Sequence, residues 1–361
     1  MEVWKEVLRV LKPGAHMLVS CGTRTQHRMA VNIEDAEFTI RDVICWHYGQ
    51  GFPKSLDISK AIDQQAGASR DIIGTSSGPN AARYTSERYK EKRQTKFGVV
   101  QDQQDKTAPQ TADAKKWEGW GTALKPATEF WTLARKPLSE KTVAANVLKY
   151  GTGRLNIDGS RIGDEERTYD LKTGENLNKR SREGGNDSDE AKGLGAYGTG
   201  AKQVSNGDKT VVGRFPANMI LDERMAAELD AQSGLLTSGK PVGIKKATKK
   251  VYGQYGPGMP VTGYGDSGGA SRLFYVAKAD PEDRGHENDH PTVKPTALIH
   301  YLLKMICPIE PERIVLEPFA GSGTTCLVAR KLGIHFIAFE KDPAIAGMAE
   351  KRLKKELGLF K

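Results

Sequence analysis

The feature that most constrains this chain lies near its C-terminal end. A short apolar run, Ile314 to Leu316, enters the glycine turn Glu317-Pro318-Phe319-Ala320-Gly321-Ser322-Gly323-Thr324-Thr325. A helical pattern follows from Thr325 to Leu332, and a second apolar run, His335 to Phe339, ends on Glu340. Strand, glycine turn, helix and a second strand closing on an acid about 20 residues later is the layout of a parallel sheet that holds a nucleoside cofactor across its carboxyl edge. The glycines let the backbone approach the ligand, and the acid can accept both ribose hydroxyls.

The remainder of the chain fits an α/β reading at both ends and not in the middle. Val3, Val7, Val10 and Leu11 recur at helical spacing until Pro13-Gly14, and a buried strand is expected from His16 to Cys21. After the polar turn Gly22-Thr23-Arg24-Thr25 comes a helix with Met29, Ala30, Ile33 and Ala36 on one face. Phe38 to Tyr48 then alternates as a strand, with Ile40, Ile44, Trp46 and Tyr48 on one side. That rhythm is the rhythm of a doubly wound sheet. Residues 80–115 and 163–210 are poor in apolar side chains and read as long mobile loops, with packing islands at 117–162, 213–233 and 271–279. From His290 order returns: Pro295 opens a helix with Leu298, Tyr301, Leu302 and Met305 inward, and Asp342 caps a last helix opened by Pro343.

With 361 residues and 38% hydrophobic content, the chain can bury one good core and a second lobe. No run reaches the ~18 apolar residues of a membrane span, and Glu2 and Glu6 stand where a signal peptide carries no acids, so a cytoplasmic location is expected. The four cysteines (Cys21, Cys45, Cys307, Cys326) form no CxxC pair. The net charge of +9 favours a polyanionic partner. Lys240, Lys245, Lys246, Lys249 and Lys250, in a stretch without acids, read equally as a solvated loop or as a phosphate-tracking arm. His286-Glu287-Asn288-Asp289-His290 spells HExxH, but Pro281, Gly285 and Pro291 make it a loop, so no metal site is expected.

The glycine turn separates three cofactor classes. Thr324 stands where a phosphate-binding loop needs lysine, and Cys326 where a dinucleotide site wants its third glycine. What remains resembles the DPFxGSGTT motif of the S-adenosylmethionine-dependent DNA amino-methyltransferases, with Glu317 for aspartate. His290-Pro291-Thr292-Val293-Lys294-Pro295 is similar to that family's HPTxKP segment. The order of parts resembles the permuted β class, and Trp117 to Pro126 and Gly213 to Asn218 look like segments of phage-type members.

The resemblance implies a permuted, Rossmann-like class I sheet: core elements in 1–56, a target-recognition region in 57–280 and the cofactor half in 281–361. It implies S-adenosylmethionine held by Glu317, Phe319, Gly321, Ser322, Gly323, Thr324, Thr325 and Glu340, bordered by Thr292 and Lys294. It places Gly22, Thr23, Arg24 and Trp46 beside a base flipped out of double-stranded DNA, to be methylated at adenine N6, the favoured target, or at cytosine N4, as in restriction-modification systems.

One element of the family is not found. Its [DNS]PP[YFW] tetrapeptide accepts the amine protons of the flipped base, yet the 17 prolines here include no Pro-Pro pair, so no catalytic residue is assigned. The resemblance implies that two sheet strands are absent with it, one of them between the His16–Cys21 strand and the cofactor strand, which would leave two unpaired edges. The expectation is an N-terminally incomplete sheet, or one completed by a second polypeptide. The alternative is a subunit that binds DNA and cofactor without transferring methyl; an RNA or protein methyltransferase is a third reading.

Overall fold

The computed structural model describes residues 2–49, 51, 55–77, 94–95, 98–99, 103–169, 209–237, 266–278, 293–308 and 313–356. In chain order the elements are α1 (Glu2–Val10), β1 (His16–Gly22), α2 (Gln26–Glu34), β2 (Thr39–His47), α3 (Ile58–Gln65), β3 (Ile72–Ser77), β4 (Gln103–Thr107) and α4 (Ala112–Lys116). They continue with β5 (Thr128–Arg135), α5 (Val143–Tyr150), β6 (Ile162–Tyr169), β7 (Lys209–Arg214), β8 (Met219–Asp222), α6 (Glu223–Ser233) and β9 (Tyr275–Ala277). The last five are α7 (Thr296–Ile306), β10 (Ile314–Glu317), α8 (Thr324–Lys331), β11 (His335–Ala338) and α9 (Pro343–Glu356).

Five strands form the main sheet in the order β1-β5-β2-β8-β9. β5 runs antiparallel to both β1 and β2, while β8 lies parallel to β2 and β9 parallel to β8. β5 is an interior strand, and Trp131, Thr132, Leu133 and Ala134 are all buried, as expected of a strand covered on both faces and paired on both sides. Three of the five strands fall within 57–280, so that stretch furnishes core strands as well as loops. β10 and β11 make a separate parallel pair, with Ile314 opposite His335 and Glu317 opposite Ala338.

The two sheets share their helical layers. On one face α7 and α8 bring Leu298, Leu302, Met305 and Val328 against Ile44, Trp131 and Ile220 of the main sheet, and Leu18 of β1 and Val315 of β10 pack on the same cluster. On the other, Trp4, Val7, Ile33 and Phe38 gather with Met17 and Val19 of β1, and Leu316 of β10 joins them. Successive residues of β1 and of β10 therefore point into the same two layers, as strands of a single sheet would. Yet β1 pairs only with β5, and β10 only with β11, among the described residues.

Several expectations are corrected. Trp4 and Val7 form the inner stripe of α1, and Val3 (43% exposed) and Val10 (53%) face out, because the large indole sets which side is buried. In β2 a bulge between Ile40 and Asp42 reverses the alternation, so Ile40 packs with the α1 and α2 layer while Ile44 and Trp46 pack with α7. Pro295 is the residue before α7 rather than its first. Parts of 80–115 are ordered. Asp63, fully buried, accepts from the amides of Gln110 and Thr111 (both 3.0 Å), the Thr111 hydroxyl (2.8 Å) and Arg70 Nη1 (2.8 Å). That polar knot ties α3 to α4 and the antiparallel β3-β4 pair without an apolar stripe. β6 and β7 likewise occupy the ends of 163–210. The basic run 238–250, the HExxH spelling and Thr292 lie outside the described residues.

Candidate functional site

The glycine turn leaves β10 at its carboxyl end and is clasped by the end of β11. Ala320 N donates to Phe339 O (2.8 Å) and Phe339 N to Glu317 O (2.9 Å). Gly321 N donates to Glu340 Oε2 (2.8 Å), and Asp342 N to Glu340 Oε1 (3.0 Å). These amides, Asp342 first, hold the Glu340 carboxyl below the usual range, so it stays anionic. Each oxygen keeps a further lone pair, so the carboxylate can tether the turn and still accept from a diol.

Gly321 and Gly323 both adopt positive φ (53° and 78°), the region L residues avoid. A Cβ on Gly323 would come 3.0 Å from the Ala349 Cβ of α9. Gly333 has a similar φ of 65° but nothing within 4 Å of an added Cβ. Gly333→Ala is therefore expected to carry only the left-handed penalty of about 1–2 kcal/mol. Gly323→Ala should exceed it by at least about 1 kcal/mol in chemical denaturation, because α9 must shift. Equal losses would show that the turn is not packed against α9.

The other residues of the turn divide between scaffold and surface. Ser322 and Thr324 are buried, and Arg352 of α9 donates to Ser322 O (3.3 Å) and Thr324 Oγ1 (2.8 Å). Burial raises the Glu317 pKa, against the pull of the Thr325 hydroxyl and the Phe319 amide. Phe319 is 63% exposed and lies edge-on to Trp4 at 6.1 Å. The turn thus presents glycine backbone, an open aromatic ring and the Glu340 carboxylate on one side of a parallel strand pair.

A second cluster forms where β1 and β2 end and β5 begins. Gly22 and Trp46 are the cross-strand neighbours of Glu129 on either side. Lys294, just ahead of α7, bonds Glu129 Oε2 at 2.6 Å and lies 5.7 Å from the Trp46 ring, while Tyr48 tilts against Trp46 at 5.1 Å. Gly22, Thr23 and Arg24 are exposed. The structure therefore gathers Gly22, Trp46 and Lys294 around Glu129, which the sequence reading did not single out. The signal was an acid heading the apolar run Phe130 to Ala134. Among the described residues no cluster of His, Cys, Asp or Glu could hold a metal ion, and no helix is long and apolar enough to cross a membrane.

Comparison with known proteins follows the same outline. A family model described as DNA methylase, of the N6 and N4 methyltransferases, matches residues 1–351. The chain is 44% identical over 72 residues to the Type II methyltransferase M.HindIII of Haemophilus influenzae, covering 20% of this chain and 22% of that protein. It is 35% identical over 74 residues to M.HinfI of Haemophilus influenzae, covering 20% of each. The matched stretch spans about a fifth of the length of these curated relatives. Among solved structures, the M1.HpyAVI-SAM complex aligns with 98% of this chain and 80% of its own at 13% identity and TM-score 0.37. The cytosine-N4-specific PvuII DNA methyltransferase aligns with 96% of this chain and 67% of its own at 12% identity and TM-score 0.37, so both superpositions are loose.

Proposed function

Because this chain belongs to the DNA methylase family of N6 and N4 methyltransferases, we propose that it moves a methyl group from S-adenosylmethionine to the exocyclic amine of adenine (N6) or cytosine (N4) in double-stranded DNA. The observation that carries the reading is the Glu340 carboxylate locked onto the glycine turn at the carboxyl edge of a parallel strand pair. S-adenosylmethionine is the methyl donor of this family, and when bound it supplies an electrophilic methyl group. The residues present fit that ligand. Backbone at Gly321 and Gly323, kept clear by the absence of Cβ atoms, would cradle the methionine part, with Ser322, Thr324 and Thr325 shaping the turn. Glu340 would accept from the ribose and Phe319 would lie along the adenosine or the sulfur. Lys294, and Thr292 before it, would close the border between donor and target. Gly22, Thr23, Arg24 and Trp46 would receive the flipped base. Most of the rate would come from aligning amine and methyl rather than from acid-base work.

The order of parts supports a permuted, phage-type arrangement with a target-recognition insertion. Among the described residues β1 and β10 each keep one edge without a strand partner while their side chains enter the same two layers, which supports a sheet into which a further strand enters. A second chain could supply that strand and, with it, the Pro-Pro tetrapeptide. The same gap favours a second reading, a subunit that binds cofactor and DNA without transferring methyl. Donor binding tests what the two readings share. Calorimetry should show one equivalent of S-adenosylmethionine bound and displaced by S-adenosylhomocysteine, with no heat from NAD or ATP. Binding of NAD or ATP instead would overturn both.

A further inference from the structure

Glu129 and Trp46 each keep a complementary polar atom that no described residue satisfies. Glu129 Oε1 and Trp46 Nε1 are both buried and have no hydrogen-bond partner among the described residues. One is an acceptor and the other a donor, and a buried polar atom without a partner calls for an explanation. The two residues are directly opposite on adjacent strands, so their side chains leave the same face of the sheet with Cβ atoms about 5 Å apart. Lys294 fixes the carboxylate by its other oxygen, Oε2, at 2.6 Å, which leaves Oε1 free to turn to a ligand. On the far flank Gly22 faces Glu129, and a Cβ built there would meet nothing within 4 Å, so there is room beside the carboxylate. Glu129 also acts as a negative charge on its surroundings: after burial, its charge is the next cause raising the Cys21 thiol and the Tyr48 phenol.

We infer that Glu129 and Trp46 form an amine-reading site, in which Oε1 accepts an exocyclic N–H of the target base and the indole Nε1 donates to the adjacent ring nitrogen. Adenine and cytosine both carry an amine next to an unprotonated ring nitrogen, so either base satisfies both orphan groups at once. Lys294, bonded to Oε2 at 2.6 Å, keeps the carboxylate aimed, acting as a positioning residue. The inference rests on the amino-methyltransferase reading and adds to it an amine acceptor within this chain.

The test compares nucleosides bound to the full chain saturated with S-adenosylhomocysteine. Deoxyadenosine and deoxycytidine are set against purine deoxyriboside and pyrimidin-2-one deoxyriboside, in which hydrogen replaces the amine, with affinities read by NMR saturation transfer. A hydrogen bond to a charged acceptor should favour the amino form of the preferred base by about 10-fold or more. In Glu129→Gln, where the acceptor is neutral, the preference should fall to about 3-fold or less with S-adenosylhomocysteine still bound. A merely structural ion pair would leave that ratio unmoved. Equal binding of amino and amine-free nucleosides by the wild type, no nucleoside binding at all, or an undiminished preference in Glu129→Gln would each overturn the inference. If the wild type failed to bind S-adenosylhomocysteine, the methyltransferase reading itself would fall, which separates the two failures.

Discussion

Replacing Glu340 with alanine is expected to weaken S-adenosylmethionine binding by about 100- to 1,000-fold, measured by calorimetry at neutral pH. Two losses combine. Hydrogen bonds from a ribose to a charged acceptor contribute about 1.5–3 kcal/mol each, and both would go. The substitution also frees the Gly321 and Asp342 amides that Glu340 now holds at 2.8 and 3.0 Å, so the turn loses its clasp. Glu340→Gln keeps one carbonyl oxygen and should fall between alanine and the wild type. Unchanged affinity in Glu340→Ala would remove the carboxylate from the donor site.

Leu298→Ala should be among the most destabilising single changes, about 3–5 kcal/mol by chemical denaturation. Leu298 is fully buried on α7, in the layer that packs against both sheets at once. Because β10 and β11 have no strand pairing with the main sheet among the described residues, shared side-chain packing is what joins the cofactor turn to the body. The cavity left at Leu298 should therefore reduce S-adenosylhomocysteine affinity along with stability. The comparison variant is Ile220→Ala, also fully buried but on β8. It should cost similar stability while sparing the turn more. Equal losses of cofactor affinity in both would show that the two sheets are coupled by more than α7.

The glycine turn and Glu340 were legible because the hydrogen bonds that clasp the turn to the end of β11 run between residues about 20 apart, and contiguous residue types report such local geometry. β5 was not, although Phe130 to Ala134 is plainly apolar. Its place between β1 and β2 is a pairing across roughly a hundred residues, which periodicity does not encode. Glu129 was lost with it, since its importance comes only from standing between Gly22 and Trp46. The bulge at Ile40 and Asp42 reversed a face that strict alternation could not reverse. The α3 and α4 unit escaped notice for a different reason. It is organised by Asp63 and Arg70, and a polar knot leaves no hydrophobic stripe to read. The absent Pro-Pro pair led to an expected gap between β1 and the cofactor strand; among the described residues the two strands are not paired with each other, and the incomplete sheet stays a proposal.

The measurement that bears most directly on the account is methyl transfer from tritium-labelled S-adenosylmethionine to unmethylated double-stranded DNA, with RNA and protein as parallel acceptors and the DNA digested to nucleosides. The account expects label in DNA, as N6-methyldeoxyadenosine or N4-methyldeoxycytidine. Label at cytosine C5, label in RNA or protein, or firmly bound cofactor with no label transferred to DNA would contradict it.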